Sequence, residues 1–227
     1  MRIDAITLDL DDTLWPIGPV IERADHALQE WLTLHAPEVA AALPIDQMRA
    51  LRDRTFAMHP ELGHDFTALR LLALRAALNP FGYGEAAVEA AYEAFFAARN
   101  RVDLYPDSLD ALARLSARAP LVALSNGNAC LQRIGLSHHF VASISARQHG
   151  AAKPDPSIFL AACQAAGSLP ERTLHVGDHA EQDVLGAMNA GLHAAWLNRH
   201  GHDWTHGETA PRSFACLRAL ADFVDAL

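Results

Sequence analysis

The chain has 227 residues, of which 51% are hydrophobic, and it carries a formal net charge of −9. This acidic balance excludes broad binding to nucleic acid or to an anionic membrane, because both require a basic surface. The length predicts one or two domains, and the composition predicts an ordered core rather than a disordered chain.

Three scattered cysteines, Cys130, Cys163 and Cys216, form no CxxC pair, which favours free thiols in a reducing compartment. The sequence enters a predicted strand at once, and we expect no secretory leader and no membrane span. We therefore expect a cytoplasmic protein that acts as a monomer or a homodimer and binds neither nucleic acid nor membrane.

The first predicted element is a buried strand over residues 3–8, which are mainly aliphatic and β-branched. Three carboxylates follow within four positions, at Asp9, Asp11 and Asp12. Acidic groups at the end of a buried strand are costly unless something compensates them, and a bound cation is the obvious candidate. The strand end is therefore the first candidate site.

A region of different composition follows, from residue 20 to about residue 100. Alanine, leucine, glutamate and arginine dominate it, and these are strong helix formers. Two prolines and a glycine within residues 15–19 predict a linker or hinge in front of it. Apolar residues recur at helical spacing between turn signals, so we predict an insertion of roughly four helices.

From about residue 105 the predicted elements alternate between helix and strand, with strands at residues 121–124, 140–144, 173–176 and 193–197. One predicted helix covers residues 181–190, and a final amphipathic helix covers residues 214–227. Alternation of this kind implies parallel βαβ units in an open, doubly wound sheet.

The first strand belongs to the same sheet, although the helical insertion separates it from the others. The predicted fold is therefore α/β, a doubly wound parallel, Rossmann-like core with an inserted α-helical cap domain. The discontinuous core is predicted to comprise residues 1–15 and 104–227, and the cap is predicted to comprise residues 16–103.

Residues useful for phosphate chemistry follow the predicted central strands in order. They are Asp9 and Asp11 after the first strand, Ser125 after the second, Lys153 after the third, and Asp178 with Asp183 after the fourth. Ligands of open α/β sheets bind beyond the carboxyl ends of the strands. We therefore expect these side chains to form one site.

The charges and oxygen atoms of these strand-end residues determine the role that we expect for each. Asp9, Asp178 and the backbone carbonyl of Asp11 are hard oxygen ligands of the kind that Mg²⁺ prefers. Asp9 is the expected nucleophile, which would form an aspartyl phosphate, and Asp11 is the expected general acid and base. Asp183 would hold the metal directly or, as we favour, through water, with Thr13 also in a supporting position.

The expected phosphate-binding groups come from the loops after the second and third strands. Ser125 and the backbone N–H groups of Asn126 and Gly127 can hold phosphoryl oxygens. Lys153 would place a positive charge against the nucleophile and the transferring group.

Four segments in order resemble the four motifs of the haloacid dehalogenase (HAD) superfamily: residues 9–14 (DLDDTL), 125–127 (SNG), 153–154 (KP) and 177–178 (GD) with Asp183. The position of the helical insertion is similar to that of the subclass with a cap after the first motif. This resemblance implies Mg²⁺-dependent hydrolysis of phosphomonoesters.

A narrower resemblance is to bacterial YigB-type phosphatases, carried by residues 61–67, 125–128, 149–154 and 174–178. It implies a small phosphorylated metabolite as partner, with FMN and 5-amino-6-(5-phospho-D-ribitylamino)uracil as candidate substrates. Phosphoglycolate, sugar phosphates and nucleoside monophosphates stay open as substrates. A 2-haloacid dehalogenase-like hydrolase and a silent binding module are the alternative functions.

Several side chains outside these motifs have two interpretations. His64, Asp65 and Arg70 would contact the substrate or form a polar face on a helix. Trp15 and Phe66 would stack on a ligand or belong to a core.

Three histidines, His200, His202 and His206, lie close together in a glycine-containing loop. A solvated loop is favoured over a zinc site, because their spacing matches no common zinc pattern.

Overall fold

A computed structural model describes residues 2–207 and 210–227. It contains one parallel sheet of six strands in the order β3-β2-β1-β4-β5-β6. The strands are β1 (Ala5–Leu8), β2 (Leu121–Ser125), β3 (Ala142–Ser145), β4 (Thr173–Gly177), β5 (His193–Leu197) and β6 (Arg212–Phe214). The predicted doubly wound α/β fold is confirmed.

The register of the central strands decides which residues meet at the carboxyl edge of the sheet. Leu8, the last residue of β1, pairs with Ala123 on one side and with Val176 on the other. β1, β2 and β4 are buried along their whole lengths, as strands covered on both faces must be. The residues that follow β1 and β4 therefore leave the sheet side by side.

Contacts divide the described chain into two compact units, which we call the core unit (residues 2–16, 103–127, 135–207 and 210–227) and the helical unit (residues 17–102 and 128–134). Residues 128–134 thus group with the helical unit, whereas the sequence-based division left them in the core. None of the helices described has the length and hydrophobicity that crossing a membrane requires.

The α-helices of the core unit are α6 (Ser108–Arg118), α8 (Ala146–His149), α9 (Pro156–Ala166), α10 (Gly186–Asn189) and α11 (Leu217–Asp225). Helix α9 begins with Pro156 at its first position, and the Asp155 carboxylate caps it by accepting a hydrogen bond from Ser157 N–H at 2.8 Å. Its buried face packs in the same cluster as β2, through Ile158, Phe159 and Cys163.

The predicted helix over residues 181–190 is only partly right. Ala180–Leu185 forms a π-helical segment, and α10 follows it. Val184 N–H bonds to the carbonyl oxygen of His179, five residues earlier, at 3.3 Å. Such widened turns are frequent at functional sites, and this one carries Asp183. The edge strand β6, which has three residues and is largely exposed, was not predicted.

The helical unit contains five helices before β2, where roughly four were predicted, and a short one after β2. They are α1 (Ile17–His35), α2 (Pro37–Ala42), α3 (Ile45–Met58), α4 (Phe66–Leu78), α5 (Glu85–Arg99) and α7 (Leu131–Ile134). The predicted linker over residues 15–19 is also wrong in part, because α1 begins at Ile17. Gly18 and Pro19 lie in its first turn, where a proline removes no helical hydrogen bond.

Two polar side chains of the predicted cap have structural partners inside the helical unit. The guanidinium of Arg70 is buried, lies 3.8 Å from the ring centre of Phe95 and is 3.5 Å from Asp25. Asp65 caps α4 by accepting a hydrogen bond from Ala68 N–H at 2.9 Å. These contacts favour the structural interpretation for both residues.

Candidate active site

Asp9 and Lys153 form the centre of the candidate site. Asp9 follows β1 and is 7% exposed, and Lys153, in the loop before α9, is 4% exposed. Lys153 Nζ lies 2.5 Å from Asp9 Oδ1 and 2.5 Å from Asp183 Oδ1. A buried ammonium thus bridges the predicted nucleophile and the predicted supporting carboxylate, as a charge in the interior must be paired.

Asn126 holds Lys153 in place through its backbone. The Asn126 side-chain oxygen accepts a hydrogen bond from Lys153 N–H at 2.7 Å, and its amide nitrogen donates to the Lys153 carbonyl at 3.0 Å. The same amide nitrogen also lies 3.0 Å from Gln182 Oε1. The side chain of Asn126 therefore positions the lysine, a role that its sequence context did not suggest.

Gly177 is required because the Asp183 carboxyl group lies against the end of β4. A Cβ atom at Gly177 would lie 2.3 Å from Asp183 Cγ, a separation at which one of the two groups would have to shift. Asp183 Oδ2 also accepts a hydrogen bond from His179 N–H at 2.9 Å. The π-helical segment and the glycine together bring Asp183 back to Lys153.

Asp178 leaves β4 beside Asp9. The hydroxyl oxygen of Thr13 lies 3.1 Å from Asp9 Oδ2 and 3.3 Å from Asp178 Oδ1, so it lies between the two carboxylates. The indole N–H of Trp196 donates to the backbone carbonyl of Asp178 at 2.8 Å. Carboxylate oxygens of Asp9, Asp178 and Asp183 all lie within 4.8 Å of one another, close enough to hold one metal ion.

The pKa values in this cluster show where positive charge is lacking. Burial raises the pKa of Asp9 well above its ordinary value, although Lys153 opposes the shift. Burial and the nearby Asp183 and Asp12 carboxylates raise the pKa of Asp178 to about 7. Burial would also raise the pKa of Asp183, but Lys153 and His175 hold it below its usual range. One lysine therefore does not balance three carboxylates, and the donor set fits a hard divalent cation.

The loop after Asp9 is tight and fixes the direction of Asp11. The indole N–H of Trp15 donates to Asp11 Oδ1 at 2.8 Å, and Asp12 N–H donates to the Trp15 carbonyl at 2.8 Å. Asp12 has a φ of 58°, in the left-handed region that non-glycine residues seldom adopt. Trp15 is fully buried, so it is part of the core rather than an open stacking wall.

The loop after β2 is the predicted phosphate cradle. Ser125 is 5% exposed, and its hydroxyl accepts a hydrogen bond from Gly127 N–H at 2.9 Å. The serine hydroxyl and the backbone N–H group of Gly127 thus lie together. Their binding of phosphate stays a prediction.

Arg199, which is not among the predicted site residues, supports the loop that follows Asp9. The guanidinium of Arg199 lies 3.1 Å from the Thr13 carbonyl and 3.2 Å from Asp107 Oδ1, and it stacks on Tyr105 at 3.9 Å. Asp107 also accepts a hydrogen bond from Leu217 N–H at 2.6 Å. Nothing in the local sequence marked Arg199, because its partners are distant along the chain.

The sequence-based prediction also missed Thr7 and His175, although the sequence indicates that they have buried polar partners. Both are fully or almost fully buried, at 0% and 1% exposed, inside central strands. Each lies two residues before a strand-end residue of the site, Asp9 or Gly177, and so points to the same face of its strand. A polar residue in a strand that is otherwise apolar needs a buried partner.

Comparisons with known proteins identify the family of the chain. A family model described as haloacid dehalogenase-like hydrolase matches residues 3–191. The chain is 32% identical over 206 residues to the 5-amino-6-(5-phospho-D-ribitylamino)uracil phosphatase YigB of Escherichia coli K12, covering 89% of this chain and 86% of that protein. It is 39% identical over 131 residues to phosphoserine phosphatase of Thermus thermophilus, covering 55% of this chain and 53% of that protein.

A solved structure extends the match to the whole fold. A crystal structure of a protein described as 2-haloacid dehalogenase from Pseudomonas syringae pv. Tomato DC3000 has a TM-score of 0.91 and 33% identity, with 99% of each chain covered. The predicted resemblances to the HAD superfamily and to YigB-type phosphatases are confirmed. The chain belongs to the family of haloacid dehalogenase-like hydrolases.

Proposed function

We propose that the protein hydrolyses phosphomonoesters of a small metabolite with the help of Mg²⁺ and through an aspartyl phosphate on Asp9. It is an HAD-family phosphatase, and the observation that carries the finer proposal is the arrangement around Asp9. Lys153 Nζ lies 2.5 Å from one oxygen of Asp9, and the Thr13 hydroxyl lies 3.1 Å from the other. Thr13 also contacts Asp178, and Asp11 lies two positions after Asp9 in the same loop.

The residues that would hold Mg²⁺ are Asp9, Asp178 and the backbone carbonyl of Asp11. The raised pKa values of Asp9 and Asp178 support this assignment, because a cation bound there would favour both ionised forms. When bound, Mg²⁺ offsets the repulsion between these carboxylates and an anionic phosphoryl group. Asp183 is already engaged by Lys153, His175 and His179 N–H, so we place it behind the direct ligands.

In the first step a carboxylate oxygen of Asp9 attacks phosphorus. A bond forms between that oxygen and phosphorus, the bond from phosphorus to the substrate oxygen breaks, and Asp11 protonates the departing alkoxide. In the second step Asp11 removes a proton from water. The water oxygen attacks phosphorus, the bond to Asp9 breaks, and inorganic phosphate leaves.

The remaining residues handle charge on the transferring group. Lys153 and the Ser125 hydroxyl with Gly127 N–H would face the phosphoryl oxygens, where negative charge accumulates in the transition state. The Trp15 indole, 2.8 Å from Asp11 Oδ1, keeps the acid–base carboxyl oriented during both steps.

For the substrate we propose a small phosphorylated metabolite, with FMN and 5-amino-6-(5-phospho-D-ribitylamino)uracil first among the candidates. The similarity to the Escherichia coli phosphatase over 89% of the chain supports this choice. We also propose a reducing, cytoplasmic compartment, because Cys130, Cys163 and Cys216 are all free thiols.

A 2-haloacid dehalogenase activity is the second candidate, because the Pseudomonas syringae protein is described by that name. That reaction also uses an aspartate nucleophile, but its halide leaving group needs no proton. Asp11, held by Trp15, and Asp178, beside Asp9, would then have no role. These two residues favour phosphate ester hydrolysis.

The test is a substrate panel with and without metal. Purified protein is assayed with p-nitrophenyl phosphate, FMN, the ribityl phosphate, phosphoglycolate, UMP and 2-chloropropionate, each in Mg²⁺ and in EDTA. We expect turnover of phosphomonoesters only with Mg²⁺, and the highest kcat/KM for the two flavin-pathway substrates. Halide release from 2-chloropropionate in EDTA would reject the proposal, and a higher kcat/KM for phosphoglycolate or UMP would reject the substrate choice.

A further inference from the structure

A chain of buried hydrogen bonds connects Thr7 to the candidate nucleophile through His175. Thr7 Oγ1 lies 2.8 Å from His175 Nδ1, and His175 Nε2 lies 3.1 Å from Asp183 Oδ1. Lys153 Nζ contacts the same oxygen of Asp183 and returns to Asp9 on β1. The catalytic steps described above use neither Thr7 nor His175.

The hydrogen-bond partners decide which atom carries each proton in this series of contacts. Asp183 Oδ1 already accepts a hydrogen bond from Lys153, and an ionised carboxylate has no proton to donate. His175 Nε2 must therefore carry the proton that it shares with Asp183. In a neutral imidazole Nδ1 is then the acceptor, and Thr7 Oγ1–H donates to it. Burial lowers the pKa of His175, which agrees with the neutral form.

The surroundings leave the imidazole no other orientation. His175 is 1% exposed, and the ring of Phe159 meets it edge to face with centroids 5.0 Å apart. Both ring nitrogens have a partner, so a rotation of the ring would leave two buried polar groups unsatisfied. The imidazole is thus a fixed link between β1 and the π-helical segment.

We propose that His175 is a positioning residue, which as the Nε2–H tautomer set by Thr7 orients the Asp183 carboxylate so that Lys153 is shared with Asp9. The proposal rests on the proposed function, since it assumes that Lys153 acts in phosphoryl transfer. Without the His175 N–H group, Asp183 Oδ1 would accept a hydrogen bond from Lys153 alone and draw the ammonium away from Asp9, while Oδ2 keeps its bond to His179 N–H. The charge of Lys153 would then stabilise the Asp183 carboxylate instead of Asp9 during the reaction.

The first test compares His175→Leu with His175→Gln, whose amide nitrogen can reach Asp183 as Nε2 does. We expect His175→Leu to lower kcat for p-nitrophenyl phosphate by about 10-fold or more, the range for partners behind active-site ligands, with KM unchanged. His175→Gln should recover most of kcat. Equal kcat in both variants, after correction for the folded fraction, would overturn the proposal.

A second pair keeps the test valid if His175→Leu does not fold. Thr7→Val has nearly the same volume but lacks the donor to Nδ1, and Thr7→Ser keeps it. We expect kcat to fall in Thr7→Val and to recover in Thr7→Ser. The matched control is Thr173→Val, which removes a buried hydroxyl from β4 that bonds to the Leu169 carbonyl at 2.9 Å, outside the site. A fall in kcat of the same size in Thr173→Val would mean that only strand stability is involved.

A spectroscopic readout separates this inference from the proposed function. Long-range ¹H–¹⁵N spectra of histidine-labelled protein, assigned with His175→Gln, should show the Nε2–H tautomer at neutral pH. The Nδ1–H tautomer or a doubly protonated ring would overturn the inference even in an active enzyme. If the wild type hydrolyses no phosphomonoester but shows the Nε2–H tautomer, the proposed function fails while the hydrogen-bond chain stands.

Discussion

At the scale of single residues, the site depends on the short distance between Gly177 and Asp183. The backbone of Gly177 lies where only a hydrogen atom fits beneath the carboxyl group. That contact brings Asp183 to Lys153 and, through Lys153, to Asp9. The absence of a side chain at Gly177 therefore allows Asp183, Lys153 and Asp9 to lie in contact.

Gly177→Ala should disrupt this contact. The added Cβ would lie 2.3 Å from Asp183 Cγ, so either β4 or the π-helical segment must shift. We expect the free energy of unfolding to fall by about 1–3 kcal/mol, as for other overpacked sites, and kcat to fall with it. Urea unfolding measures the first effect. The control is Gly18→Ala, where a Cβ has open space around it, and an equal loss in both variants would contradict the account.

Asp107 should make stability depend on pH. Burial would raise its pKa, but Arg199 and Leu217 N–H outweigh burial and hold the pKa below its ordinary value. A lowered folded-state pKa contributes stability that is present above the unfolded pKa, about 3.9, and is lost as pH falls through the folded value. Asp107→Asn should thus be less stable than the wild type at pH 7, and the difference should shrink below about pH 4.

The measurement is urea unfolding of both proteins from pH 7 to pH 3. The exposed Asp110→Asn on α6 is the matched control, because its pair with Arg114 is long, at 3.8 Å, and open to solvent. If the difference in the free energy of unfolding between wild type and Asp107→Asn stays constant over this pH range, the charge of Asp107 does not explain it.

At the scale of elements, the segment after β2 joins the helical unit although it follows the predicted phosphate loop directly. Cys130 N–H donates to Asn100 Oδ1 at 2.7 Å, and Arg133 pairs with Glu93 on α5 and lies over the ring of Phe96. The boundary between the units falls between Gly127 and Asn128. The chain therefore passes from the predicted phosphate loop into the helical unit without a linker.

Asn100→Ala should loosen this segment. The variant removes the acceptor of Cys130 N–H, so that amide should exchange with solvent faster, while the strands of the core unit keep their protection. Hydrogen exchange followed by mass spectrometry measures the change. Asn79→Ala, at an exposed position after α4, is the control and should leave the segment unchanged. Unaltered exchange at residues 128–134 in Asn100→Ala would show that this bond does not hold the segment.

Elements with strong local signals were predictable. The buried strands β1, β2 and β4 are short and mainly aliphatic, with polar exceptions that include Thr7, Thr173 and His175. Their order with the strand-end residues indicated both the fold and the candidate site. The π-helical segment was not predictable, because its widened turn depends on Asp183 reaching Gly177 and Lys153 across the sheet. The edge strand β6 has only three residues and no alternation, so no periodic pattern marked it.

The site was predictable where residues follow strand ends and unpredictable where partners are distant in sequence. Asp9, Ser125 and Asp178 follow from the position of each strand. The second role of Asn126, as the clamp on Lys153, depends on a contact between residues 27 positions apart. Arg199 is 92 positions from Asp107, and no local pattern connects them.

At the scale of the whole molecule, the protein carries a net charge of −9 and concentrates three carboxylates at one edge of its sheet. One buried lysine shares its charge between two of them. A divalent cation bound there should stabilise the folded chain, because the unfolded chain offers no assembled site.

Mg²⁺ should therefore raise Tm in a way that Asp178→Asn reduces. Differential scanning calorimetry in increasing MgCl₂, against NaCl at equal ionic strength, separates specific binding from screening of the net charge. Asp46→Asn, whose side chain is 97% exposed, is the control and should respond to Mg²⁺ as the wild type does. Equal Mg²⁺ shifts in Asp178→Asn and wild type would contradict the proposed metal site.

The most direct measurement of the central claim is the chemical fate of Asp9 during turnover. Protein is mixed with a ³²P-labelled phosphomonoester that it hydrolyses, quenched in acid within one turnover, digested and mapped by mass spectrometry. The account predicts label on the peptide that contains Asp9, as an acyl phosphate that hydroxylamine releases, and no label in Asp9→Asn. Turnover without label on Asp9, or label on another residue, would contradict it.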